Sequence, residues 1–279
     1  MVMVMVTRKL LLVVSGKGKK YLFILSITIL VVCIIGNIVF AYCIKNPLED
    51  RYVIIDPGHG GIDGGTNDNS TFFEKDINLQ ISRKLQADFD SFKARASLTR
   101  SEDISLDSQV NYNASRHQKD LLARVEQFNS GAYEIFLSIH VNRSSNPKAI
   151  GPLVLYSAKY PESRFLAQCI QNSLNRHIKD VLGRDLNRKP MRNNYFILKN
   201  AKIPGVIVET GFISNPYEKS KLMDDAYQSK LSKAICSGVK DYFKDIDGAR
   251  SNESFYQELE DEEDSLPFNI TNDVRLVGR

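Results

Sequence analysis

Hydrophobic and polar positions fall into three regimes along the chain. From Tyr21 to Ile44 the sequence (YLFILSITILVVCIIGNIVFAYCI) carries no charge, and about 20 apolar residues are enough to take a helix across the core of a bilayer. From Tyr52 to Ile246 short apolar runs alternate with segments of helical spacing. Tyr52–Ile55 is a β-branched strand run ending at Asp56-Pro57-Gly58, a turn. Residues 74–93 set Ile77, Ile81 and Leu85 at helical spacing, and residues 107–129 do the same with Leu121, Leu122, Val125 and Phe128. Ser97-Leu98-Thr99, Tyr133–Val141, Pro152–Ser157, Tyr195–Leu198 and Val206–Glu209 read as strands. Residues 162–182 read as an amphipathic helix, and Pro216–Ile246 as one long closing helix. Beyond it, Ala249–Arg279 holds eight acids against three arginines, a composition that stays solvated and flexible.

Strand–helix alternation predicts an α/β fold, with a mostly parallel β-sheet flanked by helices on both faces, preceded by one transmembrane helix. The expected organisation is a basic cytoplasmic N-terminus (1–20), a membrane segment (21–44), a linker (45–51), one folded domain (52–246) and an acidic tail (247–279). About 195 residues suffice for a single core.

Charge sharpens this division. The 279 residues carry a net +4, but residues 1–45 have six Lys/Arg and no acid, leaving 31 basic against 33 acidic side chains in the rest. A nucleic-acid binder concentrates basic charge on its folded part, so nucleic acid is not the expected partner. Arg8, Lys9, Lys17, Lys19 and Lys20 precede the apolar run, which favours a cytoplasmic N-terminus and export of the chain beyond the run. A signal cleaved on secretion is the alternative. The run is longer than a usual signal core and no clear A-x-A site comes after it, which favours an uncleaved anchor in the cell membrane. Either way the chain beyond the run lies outside the cytoplasm. Four cysteines are too few for a disulfide scaffold; Cys33, Cys43, Cys169 and Cys236 all occupy apolar settings and read as structural.

The four histidines divide evenly. His117 and His177 fall in polar helical segments and read as solvent-facing. His59 and His140 lie just past predicted strand ends, where open α/β sheets place their sites, although a backbone-satisfied histidine is the alternative for each. Glu74 opens a helix, where the dipole also favours an acid. Glu209 ends an apolar strand, a costly place for an unpartnered carboxylate. Two histidines and a glutamate form a known catalytic zinc set with a fourth position open to water, and a further glutamate can serve as the proton carrier. No H-E-x-x-H helix, G-x-S-x-G elbow or Walker A loop is present. Asp56 and Asn142 are candidates for orienting the ligands, with turn formation as the alternative.

Four ordered blocks, VIIDPGHGGIDGG, FFEKDINLQISRKL, FLSIHVN and PGVIVETGFISNP, resemble the zinc-dependent N-acetylmuramoyl-L-alanine amidases of the Amidase_3 type. The resemblance implies a Zn2+ held by His59, Glu74 and His140, with Glu209 as catalytic acid/base. It implies hydrolysis of the amide joining N-acetylmuramic acid to L-alanine in peptidoglycan. The short, singly anchored plan looks most like the CwlD-like members of spore-formers, which implies a role in making muramic-lactam for spore cortex. A catalytically inactive peptidoglycan-binding scaffold, or a zinc hydrolase cutting another peptidoglycan amide, are the competing readings. A short wall enzyme without a binding module also leaves room for an activating or localising protein partner.

Overall fold

The computed structural model describes residues 16–43, 46–68 and 72–249, and the chain divides into two units, residues 1–46 and 47–279. In the first unit α1 spans Gly16–Cys43. The side chains described along it cover positions 18 and 20–36, and the large apolar ones among them, from Leu22 to Ile35, are exposed. Among the described residues no helix is long and apolar enough to cross a membrane.

The second unit is an α/β domain. Its strands are β1 (Tyr52–Pro57), β2 (Arg95–Leu98), β3 (Ile135–Asn142), β4 (Leu153–Tyr156), β5 (Met191–Arg192) and β6 (Gly205–Phe212). Its helices are α2 (Glu74–Ser91), α3 (Arg116–Phe128), α4 (Pro161–Leu182), α5 (Phe196–Asn200), α6 (Pro216–Leu222) and α7 (Asp225–Ala249). The sheet order is β2-β1-β3-β6-β4-β5. All neighbours run parallel except β4 against β6, so the sheet is mixed, with a parallel centre.

Period-two alternation sends successive strand residues to opposite faces. Val53, Ile55, Leu137, Ile139, Val206 and Val208 enter one buried cluster with residues of α2, α4 and α7. Ile54, Phe136, Leu155 and Ile207 enter another with Val125 and Phe128 of α3 and Ile197 and Leu198 of α5. Phe128 and Phe136 stack there with ring centres 4.5 Å apart.

Three expectations are corrected. Tyr195–Leu198 is not a strand, because Phe196–Asn200 forms a helical turn; a four-residue apolar run has no period long enough to distinguish the two. The helix expected over 107–129 is a short 3-10 turn, Asp107–Gln109, followed by α3. Ser115 restarts the helix through a capping box, accepting from Gln118 N while Gln118 Oε1 accepts from Ser115 N. The closing helix is two, because Asp224 Oδ1 accepts from Tyr227 N and caps α7. Cys169 and Cys236 are buried, and burial pushes both thiols up to about 12. Cys43 lies where no side chain is described, and the acidic tail beyond Ala249 lies outside the described residues.

Candidate active site

The site forms where β1, β3 and β6 end, on the face covered by α3 and α5. At the end of β1, Asp56 is fully buried and accepts from Thr99 Oγ1 (2.6 Å), Ser138 Oγ (2.7 Å) and Arg124. Burial alone would raise its pKa; the Arg124 charge and the two hydroxyls hold it below the ordinary carboxylate value. The chain then turns through Pro57-Gly58, and His59 follows in a left-handed conformation (φ +61°).

His140 lies one residue before the bulge in β3 and pairs in register with Glu209 of β6, so both side chains leave the sheet on the same face. Glu74 is the first residue of α2 and is fully buried. Its Oε1 lies 2.9 Å from His140 Nδ1 and 3.3 Å from His59 Nε2. One ligand atom from each of the three residues can be chosen so that all lie within 4.8 Å of one another. In a tetrahedral site with bonds near 2.1 Å, donor atoms sit about 3.4 Å apart, so a borderline cation such as a divalent transition metal fits this donor set.

The rest of the pocket fixes those donors. Thr66 N donates to Glu74 Oε2 (2.7 Å), and Val141 N donates to Oε1 (3.1 Å). Asp63 Oδ2 lies 2.8 Å from His59 Nδ1, while Gly65 N donates to Oδ1 (3.1 Å). Burial opposes ionisation of Asp63, yet these contacts hold its carboxyl well below the usual range. A carboxylate on the outer nitrogen of a metal-binding imidazole fixes its tautomer and ring orientation. Two glycines make room for the rings: a Cβ on Gly58 would lie 2.2 Å from His140 Cε1, and one on Gly65 would lie 2.6 Å from His59 Cδ2. Beside the triad lies a cavity of about 50 Å³, lined in part by His59, His140, Leu121, Tyr195 and Ile207.

Of the four residues expected from the sequence, His59, Glu74 and His140 converge here, and Glu209 pairs with His140 on the neighbouring strand. His117 and His177 are exposed, the first on the cavity rim and the second with Nδ1 2.8 Å from Ser173 O. Asp56 anchors the turn. Asn142 Oδ1 accepts from Arg143 N, and its buried amide nitrogen has no hydrogen-bond partner among the described residues. Sequence patterning does not single out Asp63, whose only signal is an acid four residues after a glycine-flanked histidine, or the buried arginines 100 and 124, which carry no local signal.

An α/β sheet that gathers two imidazoles and a carboxylate at its strand ends, with a further glutamate alongside, has the architecture of a metallo-hydrolase. Comparison with known proteins specifies the class. The family described as N-acetylmuramoyl-L-alanine amidase (Amidase_3) matches residues 53–241. The germination-specific N-acetylmuramoyl-L-alanine amidase of Bacillus subtilis is 32% identical over 199 residues, covering 71% of this chain and 81% of that protein. The probable cell wall amidase LytH of Staphylococcus aureus is 29% identical, and the match spans 60% of its length. The solved CwlD amidase of Clostridioides difficile, in complex with the GerS lipoprotein, superposes with a TM-score of 0.63 at 34% identity, covering 70% of this chain and 99% of that one. The chain belongs to the Amidase_3 family and is an N-acetylmuramoyl-L-alanine amidase.

Proposed function

We propose that this amidase is a zinc enzyme, with His59, Glu74 and His140 as ligands and Glu209 as the acid/base. The observation that carries the reading is the convergence of three donors within 4.8 Å on one side of a strand-end pocket, with Glu209 in register beside His140. Two neutral imidazoles and one carboxylate suit zinc and leave a position for water or substrate. Bound there, the ion would polarise the lactyl carbonyl and bring the pKa of water toward neutrality.

The protein's own groups then divide the work. Asp63 keeps His59 Nδ1 protonated, so that Nε2 presents its lone pair. Thr66 N and Val141 N hold the Glu74 carboxylate in one orientation. Glu209 takes a proton from the attacking water and delivers it to the alanine nitrogen. The C–N bond breaks, the water oxygen stays on the lactyl carboxylate, and L-alanine leaves as an amine. Burial of Glu209, 1% exposed, keeps bulk water from competing for that proton.

Its expected site of action is peptidoglycan outside the bacterial membrane. Tethering through residues 21–44 is supported by the 24 uncharged residues and the basic residues before them. Similarity to a germination-specific amidase and to CwlD supports a role in spore cortex, where cleavage precedes muramic-lactam formation. CwlD was solved with the GerS lipoprotein, which supports a protein partner for this chain as well. Similarity to a probable cell wall amidase favours a second reading, action on the vegetative wall.

Mass spectrometry of peptidoglycan digested by the purified protein tests the bond choice. Free stem peptides beginning with L-alanine are expected. Intact stems with cut cross-links would instead make the protein a peptidase, and no cleavage by a zinc-loaded sample would favour a scaffold. Muramic-lactam content of spores from a deletion strain separates the cortex role from the vegetative one.

A further inference from the structure

Two arginines that take no part in this chemistry are almost wholly buried beside it. Arg100 follows β2 and Arg124 lies within α3, each 2% exposed. A buried guanidinium is costly unless its donors are taken up, and here one short segment takes up most of them. Arg100 donates from Nε to Pro57 O and from Nη2 to Gly58 O, both at 2.9 Å. Its other hydrogen bonds reach the carbonyls of Lys75 and Glu102. Arg124 donates from Nη1 to Pro57 O (2.9 Å) and Asp56, from Nη2 to His59 O (2.7 Å) and from Nε to Asp120 (2.7 Å). Three consecutive carbonyls, 57 to 59, are therefore held by two rigid forks.

Charge pairing explains part of Arg124, through Asp56 and Asp120. It does not explain Arg100, whose hydrogen bonds all go to backbone carbonyls. The two arginines share the turn that ends in His59. That residue is in the left-handed region (φ +61°) and is followed by Gly60 (φ +139°) and Gly61 (φ +59°). A non-glycine residue stays in such a conformation only where its surroundings over-determine it.

We infer that Arg100 and Arg124 are positioning residues: by pinning the carbonyls of Pro57, Gly58 and His59 they hold His59 with Nε2 turned toward Glu74, and so set the affinity of the site for its ion. The inference rests on the metal-centre reading above. It assigns two side chains on different elements, one after β2 and one in α3, to a single task at the end of β1.

Arg100→Lys and Arg124→Lys test it, because an ammonium keeps the charge but cannot span the acceptors of a planar fork. Zinc affinity of the full-length protein in detergent is measured by competition with a chromophoric chelator, and ligand geometry by the visible absorption of the cobalt(II) form. Each substitution is expected to weaken zinc binding about 10- to 100-fold and to change the cobalt spectrum, with far-ultraviolet circular dichroism unaltered. Arg188→Lys is the control, since half-buried Arg188 donates to Ile150 O, away from the turn; its zinc affinity is expected to match the wild type. Equal affinities in all four proteins overturn the inference. So does an equal loss in Arg188→Lys, which would mark general destabilisation, and so does failure of both arginine variants to fold, which would assign them to the fold alone. Should only Arg124→Lys fail to fold, Arg100→Lys decides. A wild-type protein that binds no zinc removes the metal-centre reading together with this inference, whereas equal affinities remove this inference alone.

Discussion

The two faces of the central sheet are made from the same strands, yet they do different work. Along β3, Ile135, Leu137, Ile139 and Val141 all enter the cluster with α2, α4 and α7. The residues between them, Phe136, Ser138 and His140, face α3 and α5 and become polar toward the strand end. β1 and β6 repeat the pattern: Ile54 gives way to Asp56, and Ile207 gives way to Glu209. The apolar face is buried along its whole length and forms the larger of the two clusters. The other face is apolar only at its base and carries ionisable groups at its rim, where each must be hydrogen-bonded or shared with an ion. A strand with period two can thus meet both demands without lengthening.

This contrast predicts that substitutions on the two faces separate activity from stability. The largest effect is expected at Glu209: Glu209→Gln should lower kcat for stem-peptide release about 10²- to 10⁴-fold, while melting temperature and metal content stay at wild-type values. Retained turnover would remove the proton-transfer role. Gly58→Ala comes next, because its Cβ would lie 2.2 Å from His140 Cε1; it should abolish stoichiometric metal binding, read by elemental analysis, with helical content preserved. On the opposite face, Leu137→Ala should cost about 2–5 kcal/mol in denaturant unfolding and leave the metal affinity of the folded fraction unchanged. A loss of affinity there would mean that the two faces are not independent.

The smallest effect concerns Glu218 of α6, which is buried and accepts from Gly151 N (2.8 Å) and Phe212 N (2.9 Å). Burial raises its pKa from the ordinary 4.5 to about 7, outweighing the two amides and the Arg188 charge. Between those values the unfolded chain loses the proton and the folded chain keeps it, so rising pH favours unfolding. The stability this group confers is complete below about 4.5 and disappears as pH passes 7. The melting temperature of the wild type should therefore fall relative to Glu218→Gln between pH 5 and 8, and parallel curves would refute the shift.

The readable parts of this molecule are those with a local signature. His59 and His140 stand out because glycines or apolar runs place them at strand ends, and the four blocks that carry them belong to the family. Elements with a full period are legible too: α2, β3 and α4 lie within two residues of their expected limits. Tyr195–Leu198 misleads because a short aromatic and β-branched run suits either state, and packing of α5 against α3 decides it. β5 has only two residues and no pattern at all. The break before α7 depends on Asp224, one polar residue in a polar stretch. Arg100 and Arg124 are invisible because their acceptors at the turn are carbonyls more than 40 residues away, which no side-chain code announces.

The route by which the polypeptide enters the catalytic unit has a practical outcome. β1 begins at Tyr52, where Arg51 bonds Glu134 and Asp247, and it ends about 20 Å later at the turn bearing His59. Any pull exerted through the chain before Pro47 therefore reaches this unit at the floor of the sheet. The rim bearing His59, His140 and Glu209 lies at the other end of these parallel strands, one strand length from that entry.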